Sequence, residues 1–316
     1  SFFELSSQLE KKFKMDKLNF AAIDIGSNAV RLMIKGIAHG ETIENLTKVF
    51  MVRVPLRLGQ DAFTLGRISN DKTGKLLRLV KAFRQLMQIY NVQSYRACAT
   101  SAMRDAENGK EVTKYIVEKT GVEIEIVNGQ EEARIVYDSH IVDELNRVGD
   151  YIYVDVGGGS TEISLISNRA LKSSASYNIG TVRILNNKVD KVELLRMYND
   201  LKLLSEGYPK LSVIGSGGNI NKLFRISELP KGVPLTTVKL REELDMLSAI
   251  PVKERIRKFD LKPDRADVIV PAAELYLQIA HHVKATEIWV PTIGIVDGIT
   301  YSLCEQYLAE HPDWDK

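Results

Sequence analysis

Cysteine is scarce in this chain of 316 residues. Neither Cys98 nor Cys304 falls in a CxxC or Cys/His metal pattern, so a disulfide framework and a zinc site are both excluded. Both lie in apolar segments and read as buried free thiols, which suits a reducing compartment. No apolar run approaches the roughly 20 residues needed to cross a bilayer. Residues 1–17 are polar and charged, without the apolar stretch or cleavage site of a secretory signal. A cytoplasmic protein with no membrane partner is the expectation. Charge of one sign is lacking as well: 43 Lys and Arg against 41 Asp and Glu leave a net +2. Any site for a polyanion must therefore be a local concentration of basic side chains. No basic stripe interleaved with aromatics and no reading helix is visible, which argues against a nucleic-acid partner. GxxxxGK[ST] is absent, and no GxGxxG follows a first strand, so P-loop and dinucleotide folds are excluded.

What is present is a repeat. The apolar run Phe20 to Ile25 enters Gly26-Ser27-Asn28 and leaves as a second run, Ala29 to Ile37. Tyr151 to Val156 enters Gly157-Gly158-Gly159-Ser160 and leaves as Thr161 to Ser167. Both read as strand, tight turn, strand, with an acid one residue before the first strand ends: Asp24 and Asp155. Helices and strands alternate after each hairpin. Asn70 to Tyr90 carries one apolar face, and helices are predicted at 110–120, from Gly129, and at 189–206, 219–224, 238–249, 264–284 and 295–310. Strands are predicted at 94–99, 123–127, 211–214 and 287–290. Two similar α/β halves flanking a cleft follow from this order. The expected division is an N-terminal extension over 1–18, a first domain over 19–136 and a second over 137–299. A final helix within 300–316 is expected to return to the first domain.

Turns built of small residues let backbone N–H groups approach an anion closely. Asp24 and Asp155 then sit where a carboxylate reaches a hard cation such as magnesium, which takes one or two carboxylates together with waters and phosphate oxygens. Three successive glycines are costly in a hairpin unless something must approach the backbone. A third glycine segment, Gly215-Ser216-Gly217-Gly218-Asn219, leads from a strand into a helix and forms either an anion site at the helix start or a tight connection capped by Asn219. The histidines His39, His140, His281, His282 and His311 show no metal-ligand spacing.

Five segments together resemble the exopolyphosphatase/guanosine pentaphosphate phosphohydrolase family. Ala22–Asn28 and Asp155–Glu162 are similar to its phosphate-binding signatures, and Ala99-Thr100-Ser101-Ala102-Met103-Arg104 to its arginine motif. Gly129-Gln130-Glu131-Glu132-Ala133-Arg134 resembles its catalytic glutamate motif, and Gly215–Asn219 its third glycine motif. The resemblance runs from about residue 19 to 308 in the right order. It implies the duplicated actin-like fold shared by acetate kinase and hsp70, related to ribonuclease H, with an interdomain cleft. It implies a short, two-domain exopolyphosphatase that releases terminal phosphate from polyphosphate, and homodimerisation is a family-level expectation.

Carried onto this chain, the resemblance makes Glu132 the general base, with Glu131 as runner-up, and Arg104 the clamp on the terminal phosphate. Gly26, Ser27, Asn28, Arg31, Gly157, Gly158, Gly159, Ser160, Gly215, Ser216, Gly217 and Gly218 become substrate-binding. Asp24, Asp155 and Glu162 become holders of Mg2+ (or Mn2+). The chain departs from relatives that place an arginine after the Asp-Gly pair: here Ile299, Thr300 and Tyr301 follow Asp297-Gly298. If that arginine helps to bind substrate, Arg265 or another basic residue must compensate or affinity falls, and Arg53 and Arg57 are further cleft-edge candidates. The competing readings are a phosphohydrolase acting on guanosine pentaphosphate (pppGpp), an ATPase or kinase of the same fold, and a phosphate-chain sensor without turnover.

Overall fold

The computed structural model describes residues 17–137, 149–291, 293–312 and Trp314. His140, most of the expected extension and the start of the expected second domain lie outside the described residues. Two mixed sheets carry the fold. The first runs β3-β2-β1-β4-β5, from β1 (Lys17–Ile25), β2 (Val30–Ala38), β3 (Thr47–Val54), β4 (Val92–Ala99) and β5 (Glu125–Ile126). The second runs β10-β11-β9-β6-β7-β8, from β6 (Asp150–Val156), β7 (Thr161–Ser167), β8 (Ala170–Tyr177), β9 (Leu211–Ser216), β10 (Leu235–Thr236) and β11 (Glu287–Trp289). In each half an antiparallel meander joins a parallel pair, so β1, β2, β3, β4, β5 correspond to β6, β7, β8, β9, β11. This is the duplicated actin-like α/β architecture.

The central strands are covered on both faces and read as continuous apolar runs for that reason. Phe20, Ala21, Ala22, Ile23 and Ile25 of β1 are all buried, as are Ile152, Val154 and Val156 of β6. Lys17 and Leu18 belong to β1, and Leu18 is buried.

Helices α1 (Leu58–Leu65), α2 (Asn70–Ile89), α3 (Ser101–Asp105) and α4 (Gly109–Thr120) belong to the first half. Ser69 caps α2, its hydroxyl accepting from Lys72 N, and Leu76, Val80, Phe83 and Met87 form the buried face. Helix α5 (Gly129–Tyr137) follows, then α6 (Thr181–Leu185), α7 (Lys191–Gly207), α8 (Gly218–Ile226), α9 (Thr237–Ser248) and α10 (Val252–Lys258). The expected helix over 264–284 is two helices, α11 (Pro263–Ala266) and α12 (Ile269–His282), because the chain turns at Asp267 and Val268. The last helix is α13 (Ile295–Glu310).

Two helices exchange places. Helix α5 follows the first sheet in sequence but packs on β7 and β8 of the second. Helix α13 follows the second sheet but packs on β1, β2 and β4 of the first, with Cys304 against Leu18, Phe20 and Ile37. The two helices touch where a Cβ on Gly298 would lie 2.0 Å from the Ile135 carbonyl oxygen, so only glycine fits. A core of its own fills this junction, with Ala22, Met33 and Cys98 from one sheet meeting Tyr151, Tyr153 and Ile214 from the other. No helix among the described residues is long and apolar enough to cross a membrane.

Candidate active site

The two glycine turns have one geometry. Gly26 N donates to Ala29 O at 3.1 Å, and Gly157 N donates to Ser160 O at 2.9 Å. They also meet each other. A Cβ on Gly158 would lie 3.0 Å from Ser27 Cβ, and one on Gly159 would lie 2.3 Å from the Phe63 ring and 2.5 Å from Ser101 Oγ. What crowds the backbone of Gly158 and Gly159 is therefore the opposite half of the molecule. Helix α6 ties down the carbonyls of the second turn: Thr181 N donates to Gly157 O at 3.0 Å and Val182 N to Gly158 O at 2.8 Å.

Between the halves lies a cleft of about 900 Å³ lined by Asp24, Gly26, Ser27, Asn28, Arg31, Glu132, Asp155, Gly157, Gly158, Ser160 and Glu162. Gly217, Gly218 and Arg265 line it too. Asp24 is buried and held by Arg31, whose Nη1 is 2.6 Å from Oδ2. Burial raises its pKa, and the Arg31 charge works against that rise. Burial pushes Asp155 up to about 6, opposed by Arg31 and aided by the Asp24 charge. Glu162 rises to about 7, mainly through burial, although Ser160 and Ser176 donate to it, Ser176 Oγ at 2.9 Å from Oε1. Glu132 is raised well above an ordinary glutamate by burial and by the Glu162 charge, with Arg104 opposing.

The two adjacent glutamates of α5 point to different places. Glu132 joins the other cleft carboxylates, whereas Glu131 pairs outside with Arg96, 2.9 Å from its Nη2. Arg104 does not line the cleft. It sits beside Glu132, its Nη1 3.4 Å from Oε2, and also donates to Val127 O at 3.1 Å.

The third glycine motif divides. Gly217 has φ +96 and a Cβ there would lie 2.7 Å from Asp155 Oδ1, so it must be glycine for the carboxylate to fit. Gly218 lies under the Arg265 guanidinium, 2.5 Å from where its Cβ would be. Gly215 does not reach the cleft: it is a packing glycine, its Cβ position 2.9 Å from Ile220 and 3.2 Å from Tyr276. Ser216 is buried behind the cleft, its hydroxyl donating to Ile293 O at 2.7 Å. Gly159 and Ser216 thus shape the site without lining it.

No three acidic, histidine or cysteine side chains among the described residues form a ready-made metal cage. The donor set is nevertheless all oxygen and electron-rich, as magnesium requires. Asp155 and Glu162 fit that role better than Asp24, whose carboxylate already has the Arg31 partner.

Several basic residues also line the cleft and carry no motif: Lys48, Lys222, Arg225 and Lys262. Only the three-residue spacing of Lys222 and Arg225 on the helix that follows the third glycine motif could have signalled them. Arg53 is there as expected, paired with Asp264 at 2.6 Å, and Arg57 pairs with Asp267 at 2.8 Å outside the lining. The arginine missing after Gly298 has no room: Ile299 and Thr300 are buried, and the Thr300 hydroxyl donates to Val296 O at 2.9 Å.

The profile of the Ppx/GppA phosphatase family matches residues 34–307. The chain belongs to the Ppx/GppA phosphatase family. It is therefore a phosphoanhydride hydrolase of the Ppx/GppA kind. It is 26% identical to exopolyphosphatase 2 of Mycobacterium tuberculosis, over 90% of this chain and 98% of that one. It is 27% identical to a bifunctional 3-dehydroquinate synthase/phosphatase of Fusobacterium nucleatum, over 82% of this chain but only 42% of that protein. A guanosine-5'-triphosphate,3'-diphosphate pyrophosphatase of Aeromonas salmonicida is 25% identical, over 90% of this chain and 59% of that protein. Among solved structures, the Aquifex aeolicus Ppx/GppA family member superposes with a TM-score of 0.74 at 25% identity, covering 92% of this chain and 99% of that one.

Proposed function

We propose that this protein is an exopolyphosphatase, releasing terminal orthophosphate from inorganic polyphosphate. The observation that carries the reading is the cleft's two-sign lining. Four cleft carboxylates, Asp24 and Glu162 buried and Glu132 and Asp155 half-buried, meet a basic group formed by Arg31, Arg53, Arg265, Arg225, Lys222, Lys48 and Lys262. Burial holds the Arg265 pKa down to about 10, and the neighbouring Arg53, Arg31 and Arg225 charges add to that fall. A group of several neighbouring cations suits a chain of repeating negative charges. Among the described residues Tyr153 is the only aromatic side chain on the lining, and it is buried, so these residues offer little for a purine to stack on.

In this reading the turns at Gly26–Asn28 and Gly157–Ser160 cradle the terminal phosphate through their amides. Glu132 orients the attacking water in line with the departing chain and takes its proton. Its raised pKa makes it a better base than a surface glutamate. Arg104 supports Glu132 as its neighbour and keeps part of that carboxylate ionised. Arg31 sits where the two signs meet and neutralises equatorial oxygens. Magnesium, or manganese, would be held by Asp155 and Glu162 and would add charge neutralisation on the phosphate oxygens.

The same site would accept pppGpp, which presents the same terminal phosphoanhydride to the turns. The deciding test is phosphate release by the purified protein with magnesium, on polyphosphates of several lengths, pppGpp and ATP at equal terminal-group concentration. A preference for polyphosphate supports the proposal. Turnover of pppGpp alone assigns the nucleotide substrate to the same site.

A further inference from the structure

Arg183 stands outside every motif that marks the cleft, yet it has an unusual set of partners. It lies on α6, in the second half. Its Nε donates to Gly159 O at 2.6 Å, inside the second glycine turn. Its Nη2 pairs with Asp105 Oδ2, at the end of α3 in the first half. Its guanidinium carbon lies 3.9 Å from the centroid of the Phe63 ring, also in the first half. Its side chain is only 13% exposed, while that of Asp105 is 25% exposed, so the solvent reaches the contact from the Asp105 side.

We propose that Arg183 is a positioning residue that fastens the Gly157–Ser160 turn to the Arg104–Asp105 segment across the two halves, setting the aim of the turn's amides.

Each of its three contacts uses a different property of a guanidinium. The planar face covers Phe63, one edge serves a carbonyl and the other a carboxylate. A lysine would keep the charge toward Asp105 but lose the Gly159 bond and the flat stack. Helix α6 holds the carbonyls of Gly157 and Gly158 from one side, and Arg183 holds that of Gly159, so all three are occupied and turned from the cleft. Asp105 adjoins Arg104, with Arg104 Nε 3.6 Å from Asp105 Oδ1, and Arg104 in turn touches Glu132. A continuous chain of contacts therefore runs from the proposed base, through Arg104, Asp105 and Arg183, to the proposed phosphate cradle. Both ends of the reaction geometry share one fastening.

The catalytic part of this proposal rests on the hydrolase reading, so the test includes a readout that does not. Full-length R183K, R183A and D105N are compared with wild type for kcat and KM on polyphosphate, for Tm, and for radius of gyration by small-angle X-ray scattering. R183K is expected to lose about tenfold or more in kcat, the scale expected when reacting groups shift by part of an ångström, with KM within about twofold of wild type and Tm unchanged. D105N, which keeps the Gly159 bond, is expected to lose less than R183K. R183A is expected to scatter as a more open molecule. Wild-type kcat in R183K overturns the proposal, and so does a loss accompanied by a matching fall in Tm, which marks general destabilisation. If wild type releases no phosphate from any substrate, the hydrolase reading fails, and scattering alone decides: an R183A molecule as compact as wild type then overturns the fastening. Should R183A not fold, R183K and D105N carry both readouts.

Discussion

Asp155 faces Glu162 across the second hairpin at the same register that pairs Asp24 with Arg31 across the first. The repeat has kept the geometry and changed the charge. In the first half a carboxylate is answered by a guanidinium 2.6 Å away; in the second, two carboxylates stand opposite one another. Burial raises both pKa values, to about 6 for Asp155 and about 7 for Glu162, and the Asp155 charge adds to the rise at Glu162. A cation is the simplest answer to that arrangement.

Stability of the metal-free protein should fall as pH rises from about 4 to about 7. In that window the folded form holds protons on Asp155 and Glu162 that the unfolded chain has released, so the unfolded state gains as pH increases. The effect is on the order of 1–3 kcal/mol. Chemical denaturation at pH 5 and pH 8 with a chelator measures it. Added magnesium should recover stability at pH 8 in wild type and far less in E162Q; equal recovery in both would remove Glu162 as a ligand.

Glu132→Gln should lower kcat by about 10²- to 10⁴-fold, the range for losing a general base, with KM little changed. Its Tm should hold or rise, because a buried charge is removed. In wild type the acid limb of the rate profile should lie well above the ordinary carboxylate range, since Glu132 must lose its proton to act. A limb at ordinary glutamate pH would assign the base elsewhere.

Lys222 and Arg225 should matter for long chains more than for short ones. The double substitution K222A/R225A is expected to raise KM for long polyphosphate about tenfold and to flatten its dependence on salt, while leaving triphosphate hydrolysis nearly unchanged. An equal effect on both lengths would place these side chains at the reacting phosphate instead.

Gly159→Ala should prop the halves apart. The added methyl meets Phe63 at 2.3 Å and Ser101 Oγ at 2.5 Å, and both belong to the opposite half. We expect kcat/KM to fall by about 10²-fold while far-ultraviolet circular dichroism is retained. Unchanged kinetics would show that close apposition of the turns is dispensable.

Asp264→Asn should destabilise the protein by about 3 kcal/mol, the scale for stranding one member of a buried ion pair. Among the described residues, Arg53 has Nε and Nη1 buried without hydrogen-bond partners, and its Nη2 pairs with Asp264 at 2.6 Å. Thermal and denaturant unfolding would show it, and a neutral outcome would mean that water replaces the lost contact.

The central strands, the two hairpins and the longer helices were legible in the sequence because apolar runs and glycine turns fix them locally. Strands β3 and β8 were not. Thr47–Val54 holds Val49, Phe50, Met51, Val52 and Val54 but is half exposed and lies outside the repeated strand–turn–strand pattern, and Ala170–Tyr177 is largely Ser, Ala and Lys; pairing with β2 and β7 makes them strands. The short helices α1 and α6 escaped for a related reason: each is tied to the glycine turn of its own half, Gly59 N donating to Ser27 O at 2.8 Å for α1 and Thr181 N to Gly157 O at 3.0 Å for α6. The acids and small residues of the site were readable because their motifs are contiguous. Arg183, Lys48 and Lys262 were not, since their importance arises only when distant segments meet. Gly215 was misplaced because a motif glycine facing the core and one facing the cleft look alike in sequence.

The exchange of α5 and α13 between the sheets limits how the enzyme can move. Each half is held to the other by a helix that belongs to it in sequence and lies on its neighbour in space, and the two rods bear on each other at Gly298 and Ile135. Pulling the halves straight apart would strip both helices from their sheets at once. A scissoring rotation about the crossing costs far less, because the atoms nearest the pivot scarcely travel while the distant jaws swing. Glu132 lies on one of those rods, three residues before Ile135, so a rotation about that crossing would displace it little.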